Sequence, residues 1–236
     1  MLKSLLKSFV KRFGCEILGP QRSYAAERSL AGLLRQEQIN LVLDVGANSG
    51  QFANELRAGG YAGRIVSFEP LATAHAQLLS KARFDPNWTI ADRTAIGATT
   101  ESVAIHVSGN SVSSSILDML PSHLESEPES RYVDKETVPV NLLDDLCAFS
   151  LSDHVLLNID VQGYERQALE GATRVLGACR AVICEMSLLP LYEGQVLAKE
   201  LWNLLVQKGF EPWSPEPGFH DPVTGRMEET PKTCSR

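Results

Sequence analysis

From residue 39 onward the chain alternates short apolar runs with stretches whose apolar positions recur every three or four residues. INLVLDV (39–45) is a β-branched and aliphatic run that stops at the turn residues Gly46, Asn48 and Gly50. Residues 50–59 then read as a helix ending at Gly59-Gly60. GRIVSFE (63–69) predicts a second strand and residues 71–83 a second helix; a third short strand falls in WTIADRTAIG. SVAIHVS (102–108) alternates like a half-exposed strand, and HVLLNIDV (154–161) and RAVICEM (180–186) read as buried strands. Helices are expected near 164–177 and 194–208. Strands alternating with helices imply an α/β fold with a mostly parallel sheet, covered by helices on both faces. Residues 109–136, richer in Ser, Pro and Glu, are expected to form an insertion or lid. The resulting division is a lead-in over 1–38, a core domain over 39–225 and a polar tail over 226–236.

The lead-in differs from the body. Leu2, Leu5, Leu6, Phe9, Val10 and Phe13 fall on one helical face, with Lys3, Lys7, Lys11 and Arg12 mostly elsewhere. Lysines interrupt the apolar stretch and no cleavage site follows, so a signal peptide is not expected. Residues 1–22 carry five basic groups and one acid; the whole chain is at −7, leaving −11 on residues 23–236. Such a basic amphipathic segment could pack over the core or touch anionic lipid through residues 1–13. The acidic body argues against general nucleic-acid binding. Five cysteines without CxxC spacing (Cys15, Cys147, Cys179, Cys184, Cys234) fit reduced thiols better than disulfides or a zinc site. No apolar run reaches the roughly 20 residues that cross a bilayer. A cytoplasmic location, possible contact with the membrane surface aside, is the expectation.

The chemistry concentrates where the first strand meets the first helix. In doubly wound sheets ligands sit beyond the carboxyl ends of the strands. Gly46 permits a sharp turn and close approach of a ligand; Ser49 and Gly50 open the helix, with their N–H groups expected to face the site. Asp44 could accept from a ligand ammonium or bond the loop amides. The spacing is GxxxG rather than the GxGxxG of dinucleotide sites, with Asn48 in the place of a glycine. Glu69, at the end of the second strand, can accept two hydrogen bonds from a ribose diol. A ribose and an amino-acid tail without a diphosphate describe S-adenosylmethionine.

The pieces DVGANSG (44–50), VSFEP (66–70), NIDVQGYE (158–165) with ALEGA after it, and ICEMSLLPLYEGQ (183–195) occur in that order. The ordered set resembles the FkbM family of S-adenosylmethionine-dependent methyltransferases, over roughly residues 38–225. The resemblance implies a class I methyltransferase (Rossmann-like) fold, a seven-stranded, mostly parallel sheet with its last strand antiparallel. It also implies O-methylation, commonly of a sugar hydroxyl on a glycolipid, polysaccharide or secondary metabolite. Carried over by position, Asp44, Gly46, Ala47, Asn48, Ser49, Gly50 and Glu69 are cofactor-binding. Asp92 and Thr94 fall where such folds place adenine contacts. Asp160 is the first choice for base or acceptor orienter, and Glu185 could assist it.

Two departures from the family pattern stand out. Gln162 occupies a position that is usually Glu, and after GFHDPVTG (218–225) the expected apolar closing strand is replaced by the polar RMEETPKTCSR with Pro231. That strand is therefore expected to be missing or altered, which leaves an inactive cofactor-binding homologue as an alternative reading. A nicotinamide-dependent oxidoreductase is a further rival, against which the GxxxG spacing counts. A divalent metal on Asp160, Glu185 and a third acid such as Asp221 stays unassigned, since nothing in the spacing demands it. His106, His123 and His220 are alternative bases. The hydroxyl-rich SVSSSILDML (111–120) could cover the site, and Trp213 and Phe219 could stack on a sugar face. The acceptor is expected to be a small molecule or glycolipid; the oligomeric state is not legible.

Overall fold

The computed structural model describes residues 29–215 and 229–235. The basic segment 1–13 and the candidates His220, Asp221 and Phe219 lie outside the described residues. The core starts earlier than residue 39: helix α1 (Leu30–Gln36), capped by Ser29, whose Oγ accepts from the Gly32 N–H, buries Leu33 completely.

Strand β1 (Leu41–Val45) is buried along its whole length because both its faces are covered. Leu41, Leu43 and Val45 point into one apolar cluster, while Val42 points into another on the opposite face, as a two-residue period requires. Helix α2 (Gln51–Ala58), β2 (Arg64–Phe68), α3 (Ala72–Ala82) and β3 (Trp88–Ile90) follow. With α1 they form the second cluster, which joins Leu33, Leu56, Leu78 and Trp88. After β4 (Ala95–Ile96) and β5 (Glu101–Ser108) the chain makes α4 (Pro121–Ser126) and β6 (Tyr132–Asn141). Then come α5 (Leu143–Leu146), β7 (Val155–Ile159), α6 (Glu165–Glu170), α7 (Thr173–Ala178) and β8 (Cys179–Ser187). Helix α8 (Ala198–Gln207), β9 (Glu211–Pro215) and β10 (Glu229–Ser235) complete the order.

Seven strands form one sheet in the order β3-β2-β1-β7-β8-β10-β9; β3 to β8 pair in parallel, and β10 runs antiparallel to both its neighbours. This is the seven-stranded, mostly parallel sheet with one antiparallel strand that the resemblance implies, with β1 and β7 at the centre where the crossovers diverge. A three-stranded sheet, β4-β6-β5, packs beside it. No described helix is long and apolar enough to cross a membrane, and the described cysteines, Cys147, Cys179, Cys184 and Cys234, are buried free thiols.

The structure corrects several expectations. The closing strand is present: Glu229–Ser235, assigned above to a polar tail, pairs with Ser187–Ala181 of β8. Pro231 is tolerated because β9 flanks only Lys232–Ser235, so at Pro231 the strand has β8 alone as a partner. Cys234 supplies the apolar anchor at 1% exposure. The helix expected over 164–177 is two helices. At Gly171 a Cβ would lie 1.9 Å from the Gly97 carbonyl oxygen, so the chain passes too close for a side chain. The Asp144 carboxylate then accepts from the N–H groups of Arg174 (2.7 Å) and Val175 (2.9 Å), capping the new helix from outside it. Finally, β6 occupies ten residues, of which Tyr132–Glu136 were expected to belong to the insertion.

Candidate active site

The carboxyl ends of β1, β2 and β7 meet below a cavity of about 410 Å³. Asp44, at the end of β1, is fully buried; its Oδ2 accepts from Ser67 Oγ and its Oδ1 from Asn158 Nδ2, both at 3.0 Å. Trp88 Nε1 in turn donates to Ser67 Oγ at 3.0 Å, so a polar chain runs across β3, β2, β1 and β7 under the cavity floor. Burial pushes the Asp44 carboxyl up to about 6, against the pull of the Asn158 and Ser67 hydrogen bonds. These bonds use the side chains of adjacent strands, not the loop amides that the sequence left as an alternative. Neither Ser67 nor Asn158 is a candidate site residue in the sequence, although they lie within the quoted pieces VSFEP and NIDVQGYE.

The turn after β1 is fixed by backbone. Gly46 has φ +82°, and a Cβ there would lie 1.8 Å from the Asp160 carbonyl oxygen. Gly46 and Ala47 N–H groups both donate to Phe68 O at 3.1 Å. Gly50, at φ +87°, opens α2 under the Trp88 ring, which a Cβ would meet at 2.7 Å. The loop amides do not face the cavity as expected. Asn48 N–H donates to Glu69 Oε2 (2.8 Å), Ser49 N–H to Asn48 Oδ1 (2.6 Å) and Gly50 N–H to Ala47 O (2.8 Å). With their donors engaged, these amides offer an anion little.

Glu69 is 4% exposed yet lines the cavity. Its Oε1 accepts from Leu71 N–H and its Oε2 from Asn48 N–H, each at 2.8 Å, so each oxygen keeps a lone pair for a ligand donor. Burial raises its carboxyl to about 7, opposed by those two backbone bonds. Thr94 also lines the cavity, but its hydroxyl donates to backbone carbonyls (Ala95 O at 2.8 Å) and accepts from Asn141 Nδ2 (3.0 Å). Asp92 is exposed and is not among the lining residues, so the structure does not bring the expected adenine pair together.

Asp160 and Glu185 also line the cavity, just beyond β7 and on β8. Asp160 is exposed, and its N–H donates to Val45 O at 3.0 Å, fastening the end of β7 to β1. Both carboxylates accept from a single nitrogen, Gln162 Nε2, at 2.8 Å each. Ser111, Val112, Ser114 and Ile116 form the adjoining wall. The alternative bases lie elsewhere: neither His106, beside Asp118 at 3.2 Å, nor His123, edge-on to Tyr192, lines the cavity. Burial also pushes His123 down to about 4. Trp213 packs against the α1–α3 cluster, not the cavity. Five carboxylates line the cavity (Asp44, Glu55, Glu69, Asp160, Glu185), and no Lys, Arg or His is among the lining residues described. Among the described residues no group of three or more His, Cys, Asp or Glu is placed to hold a metal ion.

Several solved structures are similar. The magnesium protoporphyrin IX methyltransferase of Synechocystis PCC 6803, with bound SAM, is 12% identical; the likeness covers 92% of this chain and 79% of that one, at a TM-score of 0.47. A putative S-adenosylmethionine-dependent methyltransferase from Listeria monocytogenes is 8% identical over 88% of this chain and 99% of its own, at 0.48. Human N-acetylserotonin methyltransferase, in complex with SAM, is 12% identical over 89% of this chain and 51% of its own, at 0.44. No curated protein matches the sequence. The model of the methyltransferase FkbM domain matches residues 44–212, from the buried aspartate of β1 through β9's first residues. The chain belongs to the FkbM methyltransferase family.

Proposed function

We propose that this chain is an S-adenosylmethionine-dependent O-methyltransferase whose acceptor is a hydroxyl of a sugar, on a glycolipid, polysaccharide or secondary metabolite. The observation that carries the cofactor is the charge of the cavity: five carboxylates and no basic side chain among the described lining residues. Such a lining favours a ligand bearing positive charge and opposes a diphosphate, which counts against the nicotinamide reading. The residues present fit the cofactor. Glu69, with a lone pair left on each oxygen, would receive the ribose diol, and the acidic lining would favour the sulfonium and the ammonium.

Bound S-adenosylmethionine would supply a methyl group on a sulfonium, which departs as a neutral thioether. This donor needs no activation, so the protein's task is alignment, which supplies about 7–11 kcal/mol in favourable cases. Asp160 would accept the hydrogen bond of the acceptor hydroxyl and take its proton as the oxygen–carbon bond forms, a role worth roughly 10²–10⁴-fold. The acid-rich acceptor side, with the Ser111 and Ser114 wall, supports a hydroxyl-bearing acceptor. The presence of β10 removes one of the two grounds for an inactive homologue.

The test is a radiolabelled methyl-transfer screen over glycosides and glycolipids. The expected result is transfer to oxygen that falls at least about hundredfold in Asp160→Asn. Transfer only to nitrogen or carbon acceptors, or a rate that Asp160→Asn leaves unchanged, would contradict the assignment.

A further inference from the structure

Gln162 is held at four points. Its Nε2 donates to Asp160 Oδ1 and to Glu185 Oε2, both at 2.8 Å. Its Oε1 accepts from the hydroxyl of fully buried Tyr192 at 2.8 Å, and its backbone carbonyl accepts from Ser115 Oγ at 2.6 Å. It sits at φ +51°, a left-handed conformation that a non-glycine residue keeps only where its surroundings impose it. The two carboxylates settle which way the amide points: ionised, both only accept, so the NH₂ group must face them and Oε1 is left to accept from the Tyr192 hydroxyl.

We infer that Gln162 is the positioning residue of the acceptor side, its NH₂ group bridging Asp160 and Glu185 into one paired-carboxylate clamp. The functional meaning of the clamp rests on the methyl-transfer reading above. Two carboxylates that each approach one nitrogen at 2.8 Å would repel one another without a donor between them. The amide satisfies one oxygen of each. Among the described residues Asp160 Oδ2 receives no hydrogen bond, so the bridge leaves that oxygen for an acceptor hydroxyl. The bridge also ties the clamp to the cavity wall, because Tyr192 and Ser115 join Gln162 to the 113–115 segment: the Tyr192 hydroxyl reaches Ser113 O at 3.3 Å. The amide thus does the holding that a bound cation could otherwise do.

The geometry is tested with Mn²⁺ as the probe, added to the full chain and followed by loss of the free-ion electron paramagnetic resonance signal. The parent is expected to leave millimolar Mn²⁺ free. Gln162→Glu puts a third carboxylate on the same stem, aimed at the same point, and is expected to bind one Mn²⁺ at least tenfold more tightly than the parent. The double variant Gln162→Glu/Glu185→Gln has the parent's count of two carboxylates and one amide, and is expected to lose most of the gain that Gln162→Glu shows over the parent. Gln162→Ala, which opens the gap, should show smaller uptake in the same direction. Equal Mn²⁺ binding by the parent and by folded Gln162→Glu or Gln162→Ala would overturn the bridge. So would a double variant that binds as tightly as Gln162→Glu. S-adenosylhomocysteine titrated against the parent reports on the methyl-transfer reading separately. Its failure to bind would remove that reading and leave the Mn²⁺ comparison intact.

Discussion

The two sides of the cavity are built differently. On the side of Asp44 and Glu69 the carboxylates are buried, and the hydrogen bonds that hold them come from the backbone amides of Asn48 and Leu71 or from the adjacent strands. On the side of Asp160 and Glu185 the carboxylates are exposed or half-buried and both accept from one side-chain amide. Buried groups bonded to backbone cannot move without moving strands, which suits a ligand that stays the same in every turnover. Side chains linked through Gln162 can be altered one residue at a time, which suits a surface that must match a particular acceptor. Burial also raises the titration of Asp44 and Glu69 toward neutrality.

If that division holds, the largest effect comes from Gly46→Ala. A Cβ 1.8 Å from the Asp160 carbonyl oxygen, at φ +82°, must displace the turn or the end of β7. The expected loss is about 3 kcal/mol or more, a fall in Tm of about 10 °C, together with loss of measurable S-adenosylhomocysteine binding. A stable variant that still binds would break the claim that backbone fixes the donor side.

Next comes Glu69. Glu69→Gln retains the shape but gives up a charged acceptor, and cofactor affinity should fall about 10–100-fold, the equivalent of about 1.5–3 kcal/mol. Acid should do the same to the parent. With Glu69 titrating at about 7, its carboxylate is protonated below neutrality and can no longer accept fully from the diol. Affinity for S-adenosylhomocysteine is therefore expected to fall by about tenfold from pH 8 to pH 6, while Glu69→Gln shows a much flatter profile. The stability of the empty protein should run the opposite way. A carboxyl raised from 4.5 to about 7 contributes stability that is present below pH 4.5 and lost as pH rises through 7. Thermal melts of the parent and of Glu69→Gln between pH 5 and 8 measure the difference.

Smaller effects sharpen the other half. Asp160→Asn should change S-adenosylhomocysteine affinity by less than about threefold, since Asp160 is exposed and solvent screens its charge. A larger change, found by calorimetry, would blur the division. Tyr192→Phe removes the hydroxyl that orients Gln162. It should cost about 0.5–1.5 kcal/mol of stability, read from urea unfolding.

The sequence makes the side of Asp44 and Glu69 legible and the side of Asp160 and Glu185 only partly so, for physical reasons. β1, β2, β7 and β8 are covered on both faces, so each appears as a mostly apolar run; the turn at Gly46 and the acid at Glu69 follow from their ends. β6 escapes notice because Asp134, Lys135 and Glu136 fill its first half and Pro139, at the outward position between buried Val138 and Val140, reads as a strand breaker. β10 reads as a tail because its polar residues pair through backbone with β8, which residue type does not reveal. The split at Gly171 depends on contact with Gly97, far away in the chain. Gln162 attracts attention only as a departure from the family pattern, and its two carboxylate partners come together only in the folded chain.

The central claim is that the cavity holds the cofactor through Glu69. Calorimetric titration of S-adenosylhomocysteine into the parent and Glu69→Gln at pH 8 tests it most directly. One-site binding in the parent, weakened at least about tenfold in the variant, is the predicted result. Equal affinity in both would contradict the role of Glu69, and absence of binding to a folded parent would contradict the cofactor itself.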